Sequence, residues 1–134
     1  MAITRQAISW NAQTTPPELH SMLRVLGEHY PITEGAKRGA IRVKFQPGAS
    51  KGSVEVALHG REAEVKYDQP LHTARGLGAV LAGLVQPERP YSDFIPFETF
   101  GIMLDCSRNA VMTVEHVKCW LRQLCLLGYN MAML

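Results

Sequence analysis

The chain has 134 residues, a net charge of +2, and 46% hydrophobic against 19% charged residues. That is the length of one ordinary domain with enough apolar side chains to bury a core, and the charge is too small to imply a nucleic-acid or membrane partner. No run approaches the ~20 apolar residues of a membrane span, and the polar start Met1-Ala2-Ile3-Thr4-Arg5-Gln6 lacks the apolar core of a signal peptide.

Residues 2–9 are expected to form a short edge strand. Thr15-Pro16-Pro17-Glu18 then announces a helix: Thr15 as cap, Pro16 where a missing N–H costs nothing, Glu18 closing a capping box. Leu19, Met22, Leu23, Leu26 and Tyr30 follow at helical spacing, and Pro31 ends the run. Ile41, Val43 and Phe45 alternate with Arg42 and Lys44, as in a half-buried strand. Beyond the loop 47–52, Val54, Val56 and Leu58 turn at His59-Gly60-Arg61 into Ala63, Val65 and Tyr67, a hairpin with glutamates on its outer face. Asp68-Gln69-Pro70 opens a second helix with the stripe Leu71, Ala74, Leu77, Leu81 and Leu84. Gly76, Gly78 and Gly83 are read within it as sites of close packing on the sheet, since no Gly-x-Gly-x-x-Gly follows a strand here.

Gln86 to Asp93, with two prolines and no periodicity, reads as a linker, and 94–100 as a strand leading onward. Gly101 to Asp105 is a further strand. Thr113 caps a third helix whose apolar stripe is Val114, Val117, Trp120/Leu121, Leu124 and Leu127. Gly128 stops it, and Met131-Ala132-Met133-Leu134 is apolar throughout. The expected class is α+β: an antiparallel sheet of three to four strands with two helices on one face over 1–96, then a β-α-β fragment over 97–134. Strands without polar alternation need cover on both faces, as in a parallel sheet. Two strands alone do not supply it, so the segment reads as the opening of a larger parallel structure.

The basic residues Lys37, Arg38, Arg42, Lys44 and Lys51 read as a solvated strand face with flanking loops, because no aromatics interleave with them. The three cysteines, Cys106, Cys119 and Cys125, fit neither a disulfide framework nor a zinc site and point to a reducing cytoplasm. Cys106 reads as a buried inert thiol. His116 and Cys119 stand one helical turn apart, yet a metal needs two more ligands. Trp10 and Trp120 have rings able to stack on a sugar, although Trp120 shares the helix stripe and reads as core. Asp105 ends its strand, with Ser107, Arg108 and Asn109 in the loop after it.

Gly-Ile-Met-Leu-Asp-Cys-Ser-Arg-Asn-Ala-Val at 101–111, followed by a helix ending Leu126-Leu127-Gly128-Tyr129-Asn130, resembles the first strand and helix of the catalytic barrel in glycoside hydrolase family 20, the β-N-acetylhexosaminidases. The residues before 98 resemble, in element order, the small α+β domain that precedes the barrel there. The resemblance implies a (β/α)8 barrel beginning at 97–134 and a parent enzyme removing terminal N-acetylhexosamine. The sugar's own acetamido oxygen would be the nucleophile, assisted by an adjacent Asp-Glu pair.

No Asp-Glu dipeptide occurs in this sequence, so no catalytic residue is carried over and the chain alone is expected to be inactive. The family commonly places an arginine before the glycine of that first strand; here the position is Phe100. Asp105 and Arg108 are the substrate-binding candidates, against a simpler role in holding the turn. No cofactor or metal is expected. The expected partners are an N-acetylhexosamine-containing glycan, the rest of the barrel and a second copy of the chain. The alternative is a freestanding carbohydrate-binding or protein-interaction module, and a small nucleotide-binding protein is a poorer one.

Overall fold

The computed structural model describes residues 6–107 and 111–134. Strand β1 (Ile8–Trp10) leads through a 3-10 turn (Pro17–Leu19) into helix α1 (His20–Gly27) and strand β2 (Ile32–Glu34). Strands β3 (Ile41–Pro47), β4 (Ser53–His59) and β5 (Glu62–Tyr67) precede helix α2 (Pro70–Leu81) and strand β6 (Tyr91–Phe94). Strand β7 (Gly101–Met103), helix α3 (Val114–Leu126) and strand β8 (Met131–Met133) complete the order.

The class is α+β, with β1 to β6 in one sheet of order β2-β1-β3-β5-β4-β6. The sheet is mixed rather than antiparallel: β1 runs parallel to both β2 and β3, and β3 parallel to β5, while β4 is antiparallel to β5 and β6. The loop between β3 and β4 explains why β3 runs parallel to β5. The amides of Gly48 and Ala49 donate to the Tyr67 carbonyl at the end of β5 (3.0 and 3.1 Å). The loop thereby wraps that end and carries β4 to the far side of β5. Gly48 (φ 108°) and Gly52 (φ 74°) supply the left-handed backbone for the crossing.

Strand β1 is interior, not an edge, because β2 covers its outer side. A three-residue strand after Pro31 is too short to show alternation, which is why β2 escapes a reading by periodicity. Strand β6 takes residues 91–93 out of the expected linker and keeps only Phe94 of the strand expected over 94–100, pairing them with β4 from Ser53↔Phe94 to Val56↔Tyr91.

The core lies on one face. Ile8, Trp10, Val43, Val56, Leu58 and Val65 meet Leu19, Leu23 and Leu26 at α1 and Leu77 and Val80 of α2. The period-2 patterns of β3, β4 and β5 put Arg42, Lys44, Glu55 and Glu64 outside. The expected Thr15 capping box does not form: the 3-10 turn is capped at Pro16 without a side-chain bond, and Thr15 is buried. Helix α2 instead carries the reciprocal cap, between Gln69 and His72.

The three glycines of the α2 region differ. A Cβ on Gly76 would lie 3.0–3.2 Å from Val65, Val56 and Val54, so this residue lets α2 sit close on the sheet. Gly78 makes room for α3 rather than for the sheet, since a Cβ there would meet the Leu126 carbonyl oxygen at 2.4 Å. Gly83 lies beyond the helix in left-handed conformation (φ 69°).

The Tyr67 hydroxyl is buried with no hydrogen-bond partner among the described residues. A buried unpaired hydroxyl costs about 1–3 kcal/mol of desolvation. Tyr67→Phe is therefore expected to leave stability unchanged or raise it by up to ~1 kcal/mol, read from the urea midpoint. A loss of that size would mean that the hydroxyl holds a partner.

Candidate functional site

The β7–α3–β8 unit forms as the sequence indicates. Strands β7 and β8 pair in parallel register, Gly101↔Met131 to Met103↔Met133, and the Leu104 amide extends the ladder to the Met133 carbonyl (2.8 Å). Glycine is required at 101, where a Cβ would stand 2.9 Å from Met131. Asn130 fastens the entrance to both strands. Its Oδ1 accepts from the Phe100 amide (2.7 Å), its Nδ2 donates to the Glu98 carbonyl (2.8 Å), and its own amide donates to the Phe100 carbonyl (2.9 Å). Phe100 stacks on Tyr129 with ring centroids 4.1 Å apart. It thus fills an aromatic cluster at the position where the resemblance would place an arginine.

Thr113 caps α3 by accepting the His116 amide (3.3 Å), and its hydroxyl lies 3.2 Å from His116 Nδ1. Among the described residues no three His, Cys, Asp or Glu side chains are grouped so as to hold a metal.

Asp105 lies two residues past β7, at the carboxyl end of the strand pair, where parallel α/β barrels place their chemistry. Its Oδ1 accepts from both the hydroxyl and the backbone N–H of Ser107. Those bonds, the hydroxyl's first, hold its carboxyl below the usual aspartate range, so it is an ionised acceptor at neutral pH. Arg108, its expected companion, lies outside the described residues. One carboxylate without a second does not supply the acid and base of glycoside hydrolysis.

Several expected side-chain placements are corrected. Trp10 is 2% exposed and is a core residue, because β1 is interior and its ring meets His20 at 5.2 Å. Trp120 is 43% exposed, not core, because α3 meets α2 along another side, through Leu126. Cys106 is exposed rather than buried, since it follows the end of β7.

The apolar stripe of α3 is largely uncovered, with Val114, Trp120, Leu121 and Leu127 exposed. Met103 and Leu134 stand mostly in solvent, at 75% and 77% exposure, and Met133 is exposed as well.

The unit is nevertheless fixed to the rest of the chain. Arg122 of α3 donates from Nε to the Val25 carbonyl (3.0 Å) and from Nη2 to Glu28, at the carboxyl end of α1. At the far end of α3, Gly128 (φ 91°) turns the chain beside Arg75 of α2 and Ile95. Arg75 is itself held, because its Nε reaches Asp93 Oδ2 (2.9 Å), which also accepts from the Tyr91 hydroxyl (2.8 Å). Burial, then the bond to Asp93, pushes the pKa of the Tyr91 hydroxyl up to about 12. Between α2 and α3 a cleft of about 540 Å³ is lined by His29, Tyr30, Arg75, Cys119, Gln123 and Leu126, among others. No periodic signal marks this cleft, since its lining comes from separate elements; Gly78 is its one trace in the sequence.

No protein-family model matches the chain, and no curated protein matches it. Solved structures do. An inactive mutant of a glycoside hydrolase family 20 exo-β-N-acetylglucosaminidase from Vibrio harveyi superposes with a TM-score of 0.64 at 15% identity, over 94% of this chain and 21% of that one. The same enzyme in complex with N-acetylglucosamine gives 0.63 at 18% identity, over 98% and 22%. A β-N-acetylhexosaminidase from Bacteroides fragilis gives 0.63 at 12% identity, over 96% and 28%.

The chain shares their fold. It spans between 21% and 28% of the length of these three structures. The likeness extends over 94% or more of this chain in each of the three.

Proposed function

We propose that this chain is the N-terminal part of a β-N-acetylhexosaminidase-like glycoside hydrolase. Residues 1–96 form its accessory α+β domain, and 97–134 begin the (β/α)8 catalytic barrel. The whole protein would remove terminal N-acetylhexosamine by substrate-assisted retaining hydrolysis. The observation that carries this reading is the shared fold over 94% of the chain, together with a β-α-β unit whose apolar faces stand open. Further βα units would cover β7, β8 and the free side of α3. Asp105, with Arg108 in the same loop, would then stand at the mouth of the barrel and contact the sugar or brace the pocket floor.

Reading the coding sequence past Leu134 tests the proposal. Further βα repeats with an adjacent Asp-Glu pair on a later strand support it, and an immediate stop codon removes it. The chain alone is expected to show no turnover of an aryl N-acetylglucosaminide, because the acid pair is missing from its sequence. Turnover above background would contradict that.

The open edges of β7 and β8 also favour a second reading, a freestanding module that pairs with a copy of itself. A dimeric mass in solution joined to a natural terminus at Leu134 would favour it.

A further inference from the structure

We infer that the outer face of the sheet carries a binding site for a tetrahedral oxyanion, the phosphate or sulfate group of a monoester. The site is a concavity of about 480 Å³, within the range of small-ligand clefts. Ser9, Lys37, Arg38, Arg42, His59 and Arg61 line it. These residues come from three separate stretches: β1, the segment from 37 into β3, and the β4–β5 turn with its flanks. In the sequence the basic residues look like a solvated strand face. The fold keeps them exposed and adds Arg61 from the hairpin, while Lys44 pairs with Glu62 at 2.7 Å and Lys51 lies elsewhere.

Two observations distinguish the concavity from an ordinary basic surface. The first is Ser9. Its neighbours Ile8 and Trp10 enter the core, so strand alternation turns the Ser9 side chain to the opposite face, beside its register partner Arg42. Ser9 is only 5% exposed. Its hydroxyl lines the concavity, where it offers one donor to a ligand.

The second is charge balance. Lys37, Arg38, Arg42 and Arg61 bring four cations, and His59 adds an imidazole donor. The one carboxylate on the lining is Glu62. Lys44 already engages it and holds it below its usual range, with Arg42 and His59 adding weaker attraction. Arg61 is fixed at the rim, since its Nη1 donates to the Gly39 carbonyl (2.6 Å) and ties the hairpin turn to the loop before β3. Its remaining N–H groups suit the fork geometry with which arginine receives phosphate or sulfate oxygens.

The test titrates the purified chain with inorganic phosphate, phenyl phosphate and phenyl sulfate, read by amide chemical shifts. Saturable binding of either ester, weakened by added salt, supports the site, and the tighter of the two names the ester. Ser9→Ala, Arg42→Gln and the loop variant Arg38→Ala are each expected to weaken binding about tenfold. Lys51→Ala, a cation outside the concavity, is expected to leave it unchanged. Three results overturn the inference: no saturable shift with either ester up to about 10 mM, binding of inorganic phosphate alone, or an equal loss in Lys51→Ala.

Discussion

Replacing Gly78 by valine is expected to destabilise the chain by about 1–3 kcal/mol and to loosen α3 from α2. The helices meet so closely that even a Cβ would stand 2.4 Å from the Leu126 carbonyl oxygen. That neighbour is backbone, fixed inside α3, and does not yield as a flexible side chain would. Intrinsic propensity works the other way, because valine is a better helix former than glycine by a few tenths of a kcal/mol. A net loss therefore isolates the collision from the propensity. The bonds from Arg122 to the end of α1 would remain as the surviving tie. Urea unfolding followed by far-UV circular dichroism gives the loss, and faster amide exchange along α3 reports its release. An unchanged midpoint and unchanged exchange would mean that the helices do not touch at this position.

Trp10→Ala is expected to cost more, about 3–5 kcal/mol, a large share of the 5–15 kcal/mol that holds a typical domain together. The ring is 2% exposed, sits on an interior strand and has the Arg24 guanidinium 5.9 Å from its centroid. Its removal leaves a cavity between β1 and α1 that a three-residue strand cannot close. Trp120→Ala, on the uncovered side of α3, is expected to change stability by no more than ~0.5 kcal/mol. The pair of variants separates the two tryptophans: one holds the core and the other lies on an exposed helix face. Equal midpoints for Trp10→Ala and the parent chain in urea would contradict this division.

The elements with strong periodicity were legible: β3 through Ile41, Val43 and Phe45, the β4–β5 hairpin, α2, and the β7–α3–β8 unit with its Thr113 cap and Gly128 stop. What escaped was set by tertiary contacts. Strand β2 exists because β1 offers an edge next to Pro31, and its three residues have no pattern of their own. Strand β6 forms because β4 needs a partner, so Tyr91 and Asp93 leave the linker for the sheet. The parallel pairing of β3 with β5 follows from the glycine loop at 48–52 wrapping the end of β5, which hydrophobic alternation does not encode.

The candidate site was legible in part. The place of Asp105 just past β7 follows from the strand, whereas its bonds to Ser107 are local turn chemistry that only the structure reveals. The basic concavity depends on Arg61 reaching the loop at Gly39 across the sheet. The stripe of α3 read as a packed face because amphipathicity says that a face wants cover, not that cover is present.

The central proposal is that two unlike parts are joined here, a packed core and a two-stranded parallel unit with open apolar faces. Hydrogen exchange on the monomeric chain tests it most directly, with monomer confirmed by mass. The expected result is that the amides of β7 and β8 exchange orders of magnitude faster than those of Val43, Val56 and Val65, as local opening without packed neighbours requires. Equal protection of Ile102 and Ala132 with the core strands, in a monomer, would show a self-sufficient fold and contradict the claim.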